Sequence, residues 1–416
     1  MGVSSGASES LLPRAGGDGS LAMVIASTGV AVLGSFVFGV SIGYSAPTQS
    51  KIREDLQLSL SEYSVFGSII TIGAMIGAVA SGHLADISGR KGAMRTSALV
   101  CIVGWLAIFF AQGAVSLDFG RFCTGFGVGV FSYVVPVFIA EIAPKALRGG
   151  LTTLNQAKVG RQKEFEIALQ RLRGKDADVS IEAAEIKEFI ETIENLPKAE
   201  VQDLFNRAYI RPVIVGVGLM VFQQFVGING ILFYASETFV SAGFASGDLG
   251  TILMGCIQAP ITAVGALLMD RSGRRPLLLI STSGLLIGSL MSAVSFYLKI
   301  HGLFLEQVPI IALTGILVYI ASYSIGMGAV PWVIMSEIFP INIKGIGGSF
   351  VTLVNWSGSW AVSFAFNFFM SWSSSGTFFL FALVCAVAIL FIVKIVPETK
   401  GKTLEEIQAS MNSSST

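Results

Sequence analysis

Three side-chain amides, Gln223, Gln224 and Asn229, lie within seven residues of one long apolar stretch. An amide both donates and accepts hydrogen bonds, and burying it among apolar groups is costly unless it finds partners. Two interpretations follow. The amides bind a ligand rich in hydroxyl groups, or they form hydrogen bonds between membrane helices.

Charged residues form two motifs, and each motif occurs twice. Leu84-Ala-Asp-Ile-Ser-Gly-Arg-Lys91 matches Leu268-Met-Asp-Arg-Ser-Gly-Arg-Arg275, and the glycine of each copy permits a tight turn. In the second motif an acid precedes a base by seven residues in both copies, Glu141 before Arg148 and Glu337 before Lys344. Together the motifs supply eight candidates for ion pairs between helix ends: Asp86, Arg90, Glu141, Arg148, Asp270, Arg274, Glu337 and Lys344.

Patterns typical of catalysis are missing from the sequence. No nucleophile–base set, metal-ligand spacing or phosphate-binding loop is evident, so we predict no enzyme activity, no catalytic residue, no metal and no cofactor. The net charge is zero, which gives no basic surface for nucleic acid.

The composition identifies the surroundings in which these residues act. Of 416 residues, 53% are hydrophobic and only 13% are charged, against about 25% charged in soluble domains. Because about 20 mostly apolar residues span a bilayer, we predict an all-α membrane protein with ten transmembrane helices. The stretches are 21–46, 64–84, 94–112, 118–142, 212–240, 249–269, 276–298, 308–336, 346–370 and 376–396.

Basic residues orient these helices. With both termini in the cytosol, 23 of the 27 Lys and Arg residues lie on the cytosolic side. The chain then divides into a disordered tail (1–20), a four-helix half (21–149), a charged cytosolic loop (150–211), a six-helix half (212–396) and a second tail (397–416). Within the loop, apolar residues at helical spacing favour amphipathic helices, and a solvated linker is the alternative for its second half.

The repeated motifs also expose an asymmetry between the halves. Their order implies two parallel repeats related by an axis along the membrane normal. After Gly345 the second half continues with two more helices, but after Gly149 the chain reaches only Gln156 before it becomes charged. We therefore infer that the fifth and sixth helices of the first half are absent.

These motifs resemble those of the sugar porters in the major facilitator superfamily. Further signatures are Gln223-Gln-Phe-Val-Gly-Ile-Asn229, Val330-Pro-Trp332, Asn355-Trp356 and Pro397-Glu-Thr-Lys-Gly-Lys-Thr403. The loops are most similar to the plant early-responsive-to-dehydration-like (ERD6-like) monosaccharide transporters. The resemblance implies a major facilitator-type bundle with a central site for a monosaccharide, in the tonoplast or plasma membrane of a plant cell. The family's Pro-Glu-Ser-Pro-Arg signature is missing together with the two absent helices.

The resemblance also assigns roles to single residues. It implies sugar contacts for Gln223, Gln224, Asn229, Trp332 and Asn355, while helix packing is the alternative for the amides and for Trp332. Gln156 matches a sugar ligand of the missing fifth helix, and Ser324 stands where some glucose carriers have an acid. The eight charged candidates are expected to form cytosolic ion pairs that favour the outward-open state. The alternative for them is charge that sets the topology alone.

Ser41 stands where proton-coupled relatives carry an aspartate, in Phe38-Gly-Val-Ser41. Because a serine carries no proton at these pH values, we predict facilitated diffusion of a hexose by alternating access. Arg121, near the outer end of its helix, is expected to pack or to snorkel. The alternative function is a truncated isoform that does not transport, or that modulates full-length partners. The oligomeric state stays open.

Overall fold

A computed structural model describes residues 29, 33–142, 201–206, 209–244, 246–340, 343–402 and 406–407. All regular secondary structure in this part of the chain is helical. The chain divides into two compact units. One comprises Met1–Phe36 with Val135–Ile190, and the other comprises Val37–Val134 with Glu191–Thr416. The contacts below lie within the second unit, and residues 150–200 and 207–208 of the predicted charged loop (150–211) fall outside the described residues.

Among the described residues before position 143, the structure has four helices. They are α1 (Leu33–Gly43), α2 (Ser45–Asp55), α3 (Leu60–Phe109) and α4 (Ala114–Ile142). Helix α3 begins at a capping box, in which the Ser59 hydroxyl accepts from the Glu62 N–H and the Glu62 carboxylate accepts from the Ser59 N–H. Its first segment packs closely on α4. A Cβ at Gly77 would overlap the Phe126 carbonyl, and a Cβ at Gly129 would overlap the Ala74 carbonyl.

The second half begins with a short 3₁₀ helix (Val201–Phe205) and a broken membrane helix. The broken helix consists of α5 (Ile210–Phe225), α6 (Ile228–Phe233) and α7 (Ala235–Ser241), with Gly227 at φ 104° between the first two. Helices α8 (Gly247–Ser272) and α9 (Arg274–Ile300) follow. Then come α10 (Val308–Ser322), a π-helical turn (Tyr323–Met327), α11 (Val330–Ile338) and α12 (Lys344–Lys394), which is interrupted by extended backbone at Ser373.

The internal repeat is visible in the backbone. Gly89 interrupts α3 at φ 70°, ψ 166°, and Gly273 separates α8 from α9 at φ 92°, ψ 163°. These are the glycines of the two copies of the Asp–Gly–Arg motif, and each turns the chain in a region that side chains other than hydrogen rarely enter. The turn expected at each motif is therefore present in both halves.

Seven helical segments of the described residues are long and apolar enough to cross a membrane. One of them, Lys344–Lys394, has 51 residues and carries the break at Ser373. The total of ten membrane helices stays a prediction.

Candidate functional site

A hydrogen-bonded amide pair lies at the centre of the second-half helices. The Asn355 Nδ2 of α12 donates to the Gln223 Oε1 of α5 over 2.8 Å. Gln223 Nε2 in turn donates to the Met327 carbonyl at 2.8 Å and to the Gly328 carbonyl at 3.1 Å. Both side chains are buried, with 1% exposure at Gln223 and 5% at Asn355. Three separate helices are thus joined through one amide.

The other two amides extend this pair into a network. Gln224 Nε2 lies 3.4 Å from Gln223 Oε1, and Asn229 Nδ2 donates to Gln224 Oε1 at 2.5 Å. Asn229 Nδ2 also donates to the Ser359 hydroxyl at 2.7 Å. The break at Gly227 separates α5 from α6, so that Asn229 turns back toward Gln224 across it. The amide network, as we call Gln223, Gln224, Asn229, Asn355 and Ser359, is a chain of donors and acceptors suited to exchanging partners with hydroxyl groups.

Of the two carbonyls that accept from Gln223, that of Met327 belongs to a π-helical turn and that of Gly328 follows directly after it. A π turn departs from the ordinary hydrogen-bond register, and such turns are frequent at functional sites. The Ser281 hydroxyl of α9 holds this turn in place, since it donates to the Ser322 carbonyl at 2.6 Å and accepts from the Met327 N–H at 2.8 Å. On the same turn, the buried Ser324 hydroxyl has no partner among the described residues.

The five residues predicted to contact a sugar do not all lie in the amide network. The structure brings four of the five predicted sugar-contacting residues into the network, and it places Trp332 near the start of α11, half-buried against the core. Ser359, Ser281 and the two carbonyls were not predicted. Their only sequence signal is small polar residues in apolar stretches, which is shared by many serines that bond merely to their own helix.

A second polar cluster lies at the junction of α8 and α9. The Arg274 guanidinium contacts the Glu337 carboxylate at 2.9 Å. The Glu398 carboxylate, beyond α12, accepts the N–H groups of Arg274, Arg275, Thr399 and Lys400 at 2.9–3.1 Å. Burial raises the pKa of Glu398, but these four donors outweigh it, and the pKa lies below its ordinary value. Glu398 therefore caps the start of α9 as an anion.

The remaining charged candidates are less informative. The side chains of Asp86, Glu141, Arg148 and Asp270 lie outside the described residues. Arg90 donates to the Ala85 carbonyl at 3.4 Å, and Lys344 is exposed. Arg274 and Glu337 are the predicted partners whose contact the described residues display, and the gating role of all eight stays a prediction.

Helices of the two halves also meet at the end predicted to lie outside the cytosol. Gln49 Nε2 donates to the Glu237 carboxylate, and Arg53 approaches the same carboxylate at 3.9 Å. Asn367 Nδ2 donates to the Ser64 hydroxyl at 3.1 Å. These contacts join α2 and α3 to α7 and α12.

Of the two arrangements expected for Arg121, packing and snorkelling, the structure shows packing. Its exposure is 0%, so the guanidinium does not reach the membrane surface. It is held inward by the Ser41 carbonyl, which accepts from Nη1 at 2.6 Å. The ring of Phe66 lies 5.1 Å from the guanidinium carbon. A position near a helix end predicts snorkelling only where the neighbouring helices leave a path outward.

Comparison with known proteins agrees with this architecture. The family model described as "Sugar (and other) transporter" matches residues 27–160 and 156–411. The chain belongs to the sugar transporter family. It is 59% identical to "Sugar transporter ERD6-like 16" of Arabidopsis thaliana over 437 positions, which cover 94% of this chain and 91% of that protein. It is 56% identical to "Sugar transporter ERD6-like 7" of the same plant, with 94% of each covered.

Solved structures of sugar transporters share the fold. The inward-open xylose transporter XylE from E. coli superposes with a TM-score of 0.69 at 26% identity, covering 93% of this chain and 99% of XylE. The proton:xylose symporter XylE bound to 6-bromo-6-deoxy-D-glucose gives 0.64 at 25% identity, covering 94% and 100%. As a sugar transporter with this fold, the chain is a multi-pass membrane protein of the major facilitator type.

Proposed function

We propose that this sugar transporter carries a hexose by facilitated diffusion and that the amide network contacts the sugar. The observation that carries the proposal is the run of linked amides between α5, α6 and α12, beside the carbonyls of Met327 and Gly328. A sugar presents hydroxyls that donate and accept, and a buried amide can exchange a protein partner for such a hydroxyl. Trp332 would offer an aromatic face nearby.

The mechanism that we propose is uncoupled from protons. Ser41 has no titratable group, and its backbone carbonyl is engaged by Arg121. Purified protein in proteoliposomes should take up hexose until the inside and outside concentrations are equal, with or without a pH gradient. Accumulation against the sugar gradient that an uncoupler abolishes would contradict this mechanism.

We place the protein in the tonoplast or plasma membrane of a plant cell, with both termini in the cytosol. The similarity to plant transporters and the charge distribution support this placement. Protease accessibility of residues 157–210 in sealed vesicles tests the orientation, since cleavage from the non-cytosolic side would reverse it.

A second candidate function is that of an isoform with impaired transport. Two observations favour it. The 437 aligned positions exceed the 416 residues of the whole chain, so the alignment contains gaps in this chain. The two matched segments of the family model meet at residues 156–160, where we infer that two helices are absent.

Alternating access requires both halves to rock around a shared site, and a first half with four helices leaves one flank of that site without a wall. We expect weak hexose uptake by the 416-residue chain and strong uptake by a form with two helices inserted after Gln156. Robust, saturable and stereospecific uptake by the 416-residue chain would exclude the impairment and keep the carrier function.

A further inference from the structure

Arg121 is a fully buried cation with unused hydrogen-bond donors. Its Nη1 donates to the Ser41 carbonyl at 2.6 Å, but neither Nε nor Nη2 has a partner among the described residues. The ion pairs formed within the described part of the chain include none to Arg121. A guanidinium stays charged in proteins, so this site carries a positive charge without a visible counter-charge.

The surroundings of Arg121 are aromatic and rich in hydroxyls. The rings of Phe66 and Tyr44 lie 5.1 Å and 5.9 Å from its guanidinium carbon. The ring of Tyr63 lies 5.4 Å from that of Phe66, and the ring of Tyr234 lies 6.2 Å from that of Tyr63. Tyr63 already donates its hydroxyl to the Ser45 carbonyl at 2.8 Å.

Two neighbouring hydroxyls, like Nε and Nη2 of the guanidinium, are buried and lack hydrogen-bond partners among the described residues. The hydroxyl oxygens of Ser41 and Tyr234 are buried and have no partner among the described residues. Each can turn its O–H freely, so each can serve as a donor. Unpartnered donors around one positive charge form the chemistry that recognises an anion, because a buried charge is tolerated when a charged and hydrogen-bonded partner compensates it.

We propose that Arg121 binds a small monovalent anion of halide size, held by its Nε and Nη2 together with the hydroxyls of Ser41 and Tyr234. A single charge matches the single guanidinium. The buried position and the aromatic rings favour an ion that sheds its water and needs few donors over a large oxyanion.

The site also links the anion to the conformation of the protein. Arg121 and Ser41 belong to the first half, whereas Tyr234 belongs to the second half and lies three residues before Glu237. The anion therefore bridges the two halves beside the Gln49–Glu237 and Arg53–Glu237 contacts. It stabilises the arrangement in which this end is closed. The inference concerns binding and does not require that the chain transports sugar.

Thermal unfolding of the purified full-length chain in detergent tests the proposal. Chloride is titrated against gluconate at constant ionic strength, with bromide as a second halide. A ligand that binds the folded state alone raises the Tm with its concentration, and we expect a rise of about 2–4 °C at a halide concentration about 100 times the Kd. An unchanged Tm throughout the titration would overturn the proposal.

Two substitutions at one position locate the ion. In Ser41→Asp the new carboxylate lies beside the guanidinium and supplies the counter-charge itself, so the halide-dependent rise should vanish. Ser41→Asn is the matched comparison, since it adds similar bulk without charge and its amide N–H can donate in place of the lost hydroxyl, so a smaller rise should remain. A rise that persists in Ser41→Asp would place the anion elsewhere and overturn the assignment to Arg121. Arg121→Gln should also lose the rise, provided that it folds.

Discussion

Replacing Asn355 by leucine separates sugar binding from helix packing. The change removes the 2.8 Å hydrogen bond to Gln223 Oε1 and leaves that oxygen with the longer 3.4 Å contact from Gln224. Gln223 is 1% exposed, so water does not replace the lost donor. An unsatisfied buried polar group costs about 1–3 kcal/mol. If Gln223 and Asn355 contact the sugar, the Kd for hexose should rise by about 5- to 150-fold.

The assay is hexose binding by calorimetry, on the 416-residue chain and on the form with two helices inserted after Gln156. Asn367→Leu is the matched control. Asn367 is a buried asparagine of the same helix, and its 3.1 Å bond to Ser64 lies outside the amide network. Both variants should unfold at a lower temperature, but Asn367→Leu should leave the Kd within about twofold, because distant sites act independently. Equal Kd values for Asn355→Leu and the unaltered chain would refute a sugar-contacting role and leave helix packing as its function.

Three further outcomes test the cluster at α8 and α9. Glu398→Gln should lower the stability by about 1 kcal/mol through the loss of a charged helix cap. Because the folded-state pKa of Glu398 is lowered, its contribution is complete above about pH 4.3 and is lost as the pH falls through the folded value, so the two proteins should converge in acidic unfolding curves. Gly273→Ala should cost about 1–3 kcal/mol at its φ of 92° and ψ of 163°, whereas Gly348→Ala, with open space around its Cβ, should cost less than half of that. A double-mutant cycle of Arg274→Gln and Glu337→Gln should give a coupling of about 0.5–1 kcal/mol, and additive effects would mean that the 2.9 Å pair does not stabilise the fold.

The sequence predicts the turns and the amides of this protein for different reasons. Gly89 and Gly273 could be predicted because the same motif recurs around both, and a repeated glycine beside charged residues has few structural explanations. Gln223 and Asn355 stand 132 positions apart, so their contact depends on tertiary structure. Burying an amide in an apolar stretch costs free energy, which indicates that each amide needs a hydrogen-bond partner. The resemblance to the sugar porters suggests that both amides face one site.

Other features depend on tertiary contacts that carry no local signal. Glu398 caps a helix that begins 124 positions earlier in the chain, and no residue of its own motif indicates that it contacts that helix. The depth of Arg121 depends on the aromatic rings that surround it, whereas its position near the helix end left packing and snorkelling equally open. Ser359 and Ser281 differ from other membrane serines only in the direction in which their hydroxyls point.

The close approach of α3 and α4 has a mechanical consequence. At Gly77 and Gly129 the two backbones touch without an intervening layer of side chains. Side chains can change rotamer to absorb a small shift, but a carbonyl held in its own helix cannot yield in this way. We therefore expect the two helices to move together as one rigid unit, so that a tilt at one end also displaces the other end. A methyl group added at either glycine would push the two helices apart and change the angle between them.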